Sequence, residues 1–142
     1  MYKKILVALE NSPADKSILP HVAELALRFG SKILLLHVAD GFAARSFDEL
    51  KLAESEEMKA DRGYLEKIAG ELRSKKLSVE GQLALGSPPA EIVKTAEAGK
   101  FDLIAMAGHG HRLFGDIFHG STITQVRHGT SIPLLVARAP KK

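Results

Sequence analysis

The sequence contains no cysteine and no tryptophan, and aromatic residues make up only 6% of it. Without cysteine, the chain can form neither disulfides nor thiolate-based metal or redox sites. The few aromatics offer no stacking platform for single-stranded nucleic acid. No apolar run is long enough to span a bilayer. The apolar stretch near the N-terminus is too short for a secretory signal and lacks a small-residue cleavage site. We therefore expect a cytoplasmic protein with no membrane partner.

The charge distribution also argues against a nucleic-acid partner. The formal net charge is +3, and the lysines and arginines are spread along the chain among acidic residues. Nucleic-acid-binding proteins concentrate basic residues on one face. With 142 residues, 45% of them hydrophobic, the chain is expected to form one globular domain over residues 1–142.

Short apolar runs alternate with helix-like patterns along the whole sequence. Helices are expected from Pro13 to Gly30 with Ser12 as N-cap, over 47–76, from the Gly86-Ser87-Pro88-Pro89 turn to about Gly99, and over 121–128. Pro20 should kink or break the first helix. Strands are expected over 2–9, 33–38, 79–85, 103–107 and 134–137. Continuous apolar strands are typical of parallel sheets covered on both faces. The pattern predicts a doubly wound, Rossmann-like α/β fold with a five-stranded parallel sheet and helices on both faces.

In such sheets the ligand crevice lies outside the carboxyl ends of the strands, where the strand order reverses. This rule indicates two segments, Leu9-Glu10-Asn11 after the first strand and Met106-Ala107-Gly108 in the fourth.

A glycine-rich segment follows the fourth strand. It reads Ala107-Gly108-His109-Gly110, then nine residues, then Gly120-Ser121-Thr122. Glycine lets the backbone approach a phosphate closely, and a helix beginning near Ser121 offers free N–H groups and the positive end of its dipole. The Ser121 and Thr122 hydroxyls can add hydrogen bonds, and His111 and Arg112 could lie beside the phosphates. The segment therefore predicts a phosphate site, although a plain loop with a Ser/Thr-capped helix would have a similar sequence.

These residues resemble the nucleotide-binding branch of the universal stress protein family. That branch carries glycine, two residues, glycine, nine residues, and glycine with Ser or Thr; here the positions are Ala107, Gly110, Gly120 and Ser121. The segments KKILVALENS, LLLHV, GSPPAEIV, FDLIAMAGHG and IPLLVAR also match, so the resemblance covers essentially the whole chain.

The resemblance implies a dimeric, cytoplasmic, ATP-binding protein of the stress response, with Mg²⁺ as an optional companion of the nucleotide. By this likeness Glu10 replaces the family's aspartate near the adenosine, and Ala107 replaces the first glycine, which puts a methyl group where the backbone should be bare. The implied ligand-binding residues are Ala8, Leu9, Glu10, Val38, Met106, Ala107, Gly108, Gly110, Gly120, Ser121 and Thr122.

The histidines are not expected to form a metal site. His109, His111 and His119 are close in sequence, but a glycine-rich loop fixes ligands poorly and the nearest carboxylate is Asp116. We interpret His37 and His21 as structural residues.

Two alternatives to a nucleotide-binding regulatory module stay open. One is a slow ATP-hydrolysing enzyme, although the sequence has no P-loop lysine motif and no G-x-S-x-G elbow. The other is a dimerising stress protein without a nucleotide, an alternative that Ala107 leaves open. In either case the last strand, Leu134-Leu135-Val136-Ala137, is apolar on both faces and is expected at a sheet edge, where pairing with a second copy would cover it.

Overall fold

The computed structural model describes residues 1–39, 56–109 and 120–139. In these ranges, strands and helices alternate strictly along the chain. The strands are β1 (Lys4–Ala8), β2 (Lys32–Ala39), β3 (Ser78–Leu85), β4 (Leu103–His109) and β5 (Leu134–Ala139). The helices are α1 (Asp15–Phe29), α2 (Glu56–Arg73), α3 (Pro88–Ala98) and α4 (Gly120–Gly129). None of these helices is long and apolar enough to cross a membrane.

The five strands form one sheet in the order β3-β2-β1-β4-β5, and every neighbouring pair is parallel. The chain first builds outward from β1 through β2 to β3, then returns to the other side of β1 to add β4 and β5. The strand order therefore reverses between β1 and β4, as the sequence predicts. β5 is an edge strand, also as predicted.

The sheet separates two hydrophobic layers, because successive side chains of a strand point to opposite faces. On one face, α1 and α2 pack through Ile18, Val22, Leu65 and Leu72. On the other face, α3 and α4 pack through Ile92, Ala96 and Val126. The doubly wound parallel sheet with helices on both faces is thus confirmed.

Helix boundaries differ from the sequence prediction in two places. α1 begins at Asp15 instead of Pro13, because Pro13 and Ala14 form a turn in which Asp15 N–H bonds to the Ser12 carbonyl at 3.1 Å. Ser12 is therefore not the N-cap, a position that Ala14 holds. α2 ends at Arg73, ahead of a turn in which Lys76 has a φ of 67°.

Pro20 lies inside α1 without ending it, so the helix has no break there. The predicted loop over 40–47 and the beginning of the predicted helix at 47 lie outside the described residues. The charged first half of α2 faces solvent, since Glu56, Glu57 and Lys59 are exposed.

Candidate functional site

The reversal of strand order brings the carboxyl ends of β1 and β4 side by side. Ala8 pairs with Met106 across this boundary and with Leu36 of β2 on its other side. Beyond β1 the chain turns into α1, which packs on one face of the sheet, whereas α4, the helix that follows β4 in the chain, packs on the other face. The crevice that forms at such a point is where doubly wound proteins bind their ligands.

The apolar residues predicted for the site form the floor of this boundary. Each of these residues is at most 1% exposed. They are Ala8, Leu9, Val38, Met106 and Ala107. Ala8, Val38 and Met106 belong to the layer under α3 and α4, whereas Leu9 and Ala107 belong to the layer under α1 and α2. The Ala107 methyl group is thus part of the packed core on the α1 face.

The turn after β1 wraps around a buried carboxylate. Asp15, at the start of α1, is 0% exposed. Its Oδ1 accepts a hydrogen bond from Glu10 N at 2.9 Å, and its Oδ2 accepts from Asn11 N at 2.9 Å and Ser12 N at 3.4 Å. Asn11 has a φ of 64°, a left-handed conformation that asparagine tolerates better than most residues. One carboxylate therefore accepts hydrogen bonds from the backbone N–H groups of three successive residues of the turn.

Tyr64 of α2 completes the surroundings of this carboxylate. Its hydroxyl donates to Asp15 Oδ2 at 2.6 Å. Partial burial and the hydrogen bond to Asp15 raise the pKa of Tyr64 well above its ordinary value, so the phenol stays a donor at any physiological pH. The tyrosine ties α2 to the turn after β1.

A second polar chain runs from the end of β1 through β2 to α2. His37 Nδ1 lies 2.8 Å from the Leu9 carbonyl oxygen and must donate to it. Its Nε2 lies 3.3 Å from Asp61 Oδ2, and Asp61 Oδ1 accepts from Asn11 Nδ2 at 2.9 Å. The chain fixes the Asn11 side chain, so the predicted structural role of His37 agrees with its contacts; His21, by contrast, is exposed on α1.

Glu10, the predicted adenosine-side residue, lies at the edge of this network. It is 5% exposed, and its Oε2 accepts a hydrogen bond from the Ser12 hydroxyl at 3.2 Å. Glu10, Asp15 and Asp61 place three buried carboxylates at the carboxyl end of β1. This end of the crevice therefore favours hydrogen-bond donors over anions.

The other side of the crevice is formed by β4 and α4. Gly108 is buried, and a Cβ at this position would lie 2.9 Å from Val136 Cγ1 and 3.2 Å from Ile123 Cδ1. Close packing among β4, β5 and α4 therefore requires a glycine here. α4 begins at Gly120, followed by Ser121 and the buried Thr122, and the free backbone N–H groups of a helix start attract anions.

Several predicted residues cannot be placed. Gly110, His111, Arg112, Asp116 and His119 lie outside the described residues. Across the ranges that the structure does describe, no group of three or more His, Asp or Glu side chains could hold a metal ion.

A cavity of about 530 Å³ lies at the opposite edge of the sheet, among the amino ends of the strands. Its lining includes Lys3, Lys4, Lys32 and Phe101. It is separated from the β1–β4 crevice by the length of the strands, so it is not the predicted nucleotide site.

Sequence reasoning missed the roles of Asp15, Asp61 and Tyr64. A signal for the two acids exists in hindsight, because each lies on the apolar stripe of its helix. Asp61 precedes Leu65, Ile68 and Leu72 at helical spacing, and all four are buried; Asp15 stands in the same relation to Ile18 and Val22. An acid on a buried stripe must have partners.

Comparisons with known proteins agree with this architecture. The family model described as "Universal stress protein family" matches residues 1–138. The universal stress protein MJ0577 of Methanocaldococcus jannaschii is 30% identical, with 97% of this chain and 96% of that protein aligned. The solved structure of MJ0577 superimposes with a TM-score of 0.80 at 29% identity, covering 100% of this chain and 99% of that one.

Two more distant structures share the fold and were solved with nucleotides. A universal stress protein from Archaeoglobus fulgidus in complex with dAMP has a TM-score of 0.71 at 20% identity, covering 96% of this chain and 98% of that one. A universal stress protein in complex with cAMP has a TM-score of 0.68 at 14% identity, covering 96% and 97%. On the match of the family model and the close relative, the chain belongs to the universal stress protein family.

Proposed function

We propose that this protein is a regulatory module of the nucleotide-binding branch that binds ATP, with or without Mg²⁺, in the crevice between β1 and β4. Its role is stress-responsive binding in the cytoplasm and not turnover. The observation that carries the proposal is the reversal of strand order at this boundary, which brings the polar turn after β1 and the start of α4 to one edge of the sheet. Relatives of the same fold that hold dAMP and cAMP support an adenine nucleotide as the ligand.

The charges of the crevice favour one orientation of the nucleotide. The Glu10 carboxylate at the end of β1 suits the amino group of adenine and the ribose hydroxyls, which are donors, whereas Asp15 and Asp61 bond to the turn and add negative charge beneath it. The start of α4 at Gly120 suits the phosphates, because a helix N-terminus combines free N–H groups with a positive dipole end. We therefore place the nucleoside near Glu10 and the phosphates near Gly120, Ser121 and Thr122.

The test is isothermal titration with ATP on the wild type and on Gly120→Val. A branched side chain at the first residue of α4 would occupy the volume of a phosphate, so binding should be lost while the remote core still folds. Gly63→Val is the matched control, because a Cβ at Gly63 meets nothing within 4 Å on the exposed side of α2. If Gly120→Val folds by circular dichroism and binds ATP like the wild type, the phosphate site lies elsewhere.

Ala107→Gly tests the alternative of a stress protein that binds no nucleotide. If wild type fails to bind at millimolar ATP and Ala107→Gly binds, the chain belongs with the non-binding members and the methyl group is the reason. Because Ala107 packs in the core layer under α1 and α2, the substitution should also lower stability by about 1 kcal/mol.

Turnover is the remaining alternative. The carboxylates at the end of β1 are engaged in hydrogen bonds that hold the turn, which supports a binding role over a general-base role. A dedicated ATPase would turn over at about one per second or faster. A rate of that order in protein free of contaminating ATPases would contradict the binding-module proposal.

A homodimer through β5 is part of the proposal. β5 pairs only with β4 among the described strands, and Val136 is 37% exposed on it. Pairing with a second copy would cover the open edge. Leu135 packs against the core layer under α1 and α2, so a charge at Leu135 would disturb folding; Val136 is the better position for a test.

A further inference from the structure

The backbone of the turn after β1 has the geometry of an anion site, and the Asp15 carboxylate of the same chain occupies it. Backbone N–H groups of Glu10, Asn11 and Ser12 converge on the Asp15 carboxylate at 2.9, 2.9 and 3.4 Å. Successive amides that converge in this way, with a left-handed residue among them, form a concave nest that binds anions. Asn11, with its φ of 64°, is that residue.

In a doubly wound domain this turn is also a natural phosphate site. It follows the first strand, lies at the switch point and leads into a helix N-terminus, and all three features attract phosphate groups. A nucleotide could therefore enter the crevice in two opposite orientations, with its phosphates at the start of α1 or at the start of α4.

We propose that the Asp15 carboxylate is a built-in anion that occupies the nest after β1 and keeps phosphate out of it, so that only the α4 side of the crevice accepts phosphates. The orientation it imposes rests on the proposed nucleotide binding; the exclusion itself is a property of the turn. Asp15 is thus a specificity-determining residue, although it lies beneath the crevice.

The contacts around Asp15 hold its carboxylate in the nest. The carboxylate is 0% exposed and receives a further hydrogen bond from the Tyr64 hydroxyl at 2.6 Å. It is held from two sides, by the turn and by α2, and swinging aside would break all four of these hydrogen bonds, including the buried one from Glu10 N. Glu10 and Asp61 are buried nearby and repel a second anion, whereas His37 faces Asp61 and the Leu9 carbonyl instead of the nest.

The first arm of the test uses the wild-type protein and amide NMR. Inorganic tripolyphosphate and adenosine are titrated separately, so that each half of the nucleotide reports its own contacts. We expect tripolyphosphate to leave the amide signals of Glu10, Asn11 and Ser12 unchanged, and adenosine to shift residues around Glu10. A saturable shift of the three turn amides with tripolyphosphate would overturn the inference.

The second arm opens the nest and needs no nucleotide. Asp15→Ala removes every acceptor of the carboxylate, and Asp15→Ser leaves one shorter, neutral acceptor for its four donors, so both variants should melt at lower temperature. Relative to chloride at equal ionic strength, inorganic phosphate should then shift the turn amides of the variants but not those of the wild type. It should also raise the melting temperatures of the variants by more than that of the wild type, which gains only the general stabilisation by this salt. Tyr64→Phe is the matched control, because it removes one donor and keeps the carboxylate in place.

The outcomes separate this inference from the proposed function. If formate stabilises the Asp15 variants but phosphate does not, the carboxylate is only a structural cap and the exclusion of phosphate is refuted. If phosphate stabilises them while wild type binds no ATP, the exclusion stands and the proposed function fails. Should neither variant fold, the tripolyphosphate titration of the wild type decides by itself.

Discussion

Gly108 of β4 lies against side chains of both β5 and α4, and its role can be tested without any ligand. A Cβ there would lie 2.9 Å from Val136 Cγ1 and 3.2 Å from Ile123 Cδ1. The first distance is the decisive one, because valine is stiff about χ1 and its γ carbon has little freedom to move. The isoleucine δ carbon, at the end of a longer side chain, can shift more cheaply.

We expect Gly108→Ala to destabilise the protein by about 1–3 kcal/mol, the usual cost of one extra carbon in a packed region. For a chain of 142 residues the unfolding entropy is about 0.3 kcal/mol per kelvin, so the melting temperature should fall by about 3–10 °C. Urea denaturation followed by circular dichroism measures the free energy of unfolding directly.

A double-mutant cycle identifies the contact responsible. Val136→Ala removes the γ carbons, so Gly108→Ala should cost at least ~1 kcal/mol less in that background than in the wild type. Gly70→Ala is the control, because a Cβ at Gly70, in the last turn of α2, meets nothing within 4 Å; it should be neutral or stabilising by up to ~1 kcal/mol. A Gly108→Ala variant as stable as wild type, or the absence of coupling to Val136, would refute the packing argument.

Three further predictions concern the network after β1, the amino edge of the sheet and the assembly. Tyr64→Phe should lower the free energy of unfolding by about 1.5–3 kcal/mol, because it deletes a hydrogen bond to the buried Asp15 carboxylate; urea titrations should show the same loss at about pH 6 and pH 9, below the ordinary tyrosine pKa. Partial burial raises the pKa of Asp102, but hydrogen bonds from the Lys4 and Lys3 backbone outweigh it and leave the pKa below its ordinary value. This contribution is present above about pH 4 and is lost as the pH falls through the folded-state pKa, so Asp102→Asn should flatten the acid side of the stability profile; an unchanged acid slope would contradict the assignment. The proposed dimer should become a monomer with Val136→Lys in light scattering at micromolar concentration, while Gln125→Lys on the exposed side of α4 should leave it intact. A wild type that is a monomer, or a dimer that persists with a charge at Val136, would contradict pairing through this edge.

The type and order of the secondary-structure elements follow from the sequence because their causes are local. The continuous apolar runs at Ile5–Leu9 and Ile33–Leu36 can be buried only in a sheet covered on both faces. Their alternation with amphipathic segments restricts the topology to a doubly wound sheet. The expected crevice lies at the ends of the first and fourth strands. The observed sheet confirms that the order of the strands reverses between these two.

Local reasoning was wrong where a side chain bonds across the turn. Ser12 and Pro13 have the residue types of a helix start, yet α1 begins at Asp15. The difference arises because the Asp15 carboxylate accepts hydrogen bonds from the backbone N–H groups of Glu10, Asn11 and Ser12 in the turn after β1. Which of several nearby polar side chains satisfies a turn depends on its position in three dimensions, and residue preferences do not contain that information.

The polar network at the crevice was decided by the tertiary structure alone. Asp15 meets Tyr64 across 49 residues of sequence, and Asn11 meets Asp61 across 50. The sequence places both acids on the apolar stripes of their helices, where a carboxylate without hydrogen-bond partners would destabilise the fold. Only the packing of α2 beside the end of β1 brings those partners to them. The need for glycine at Gly108 has the same origin, since Val136 and Ile123 reach it from β5 and α4. The pattern of apolar residues along the sequence thus determined the fold of this protein. Contacts between elements distant in sequence determined which side of its crevice is closed to an anion.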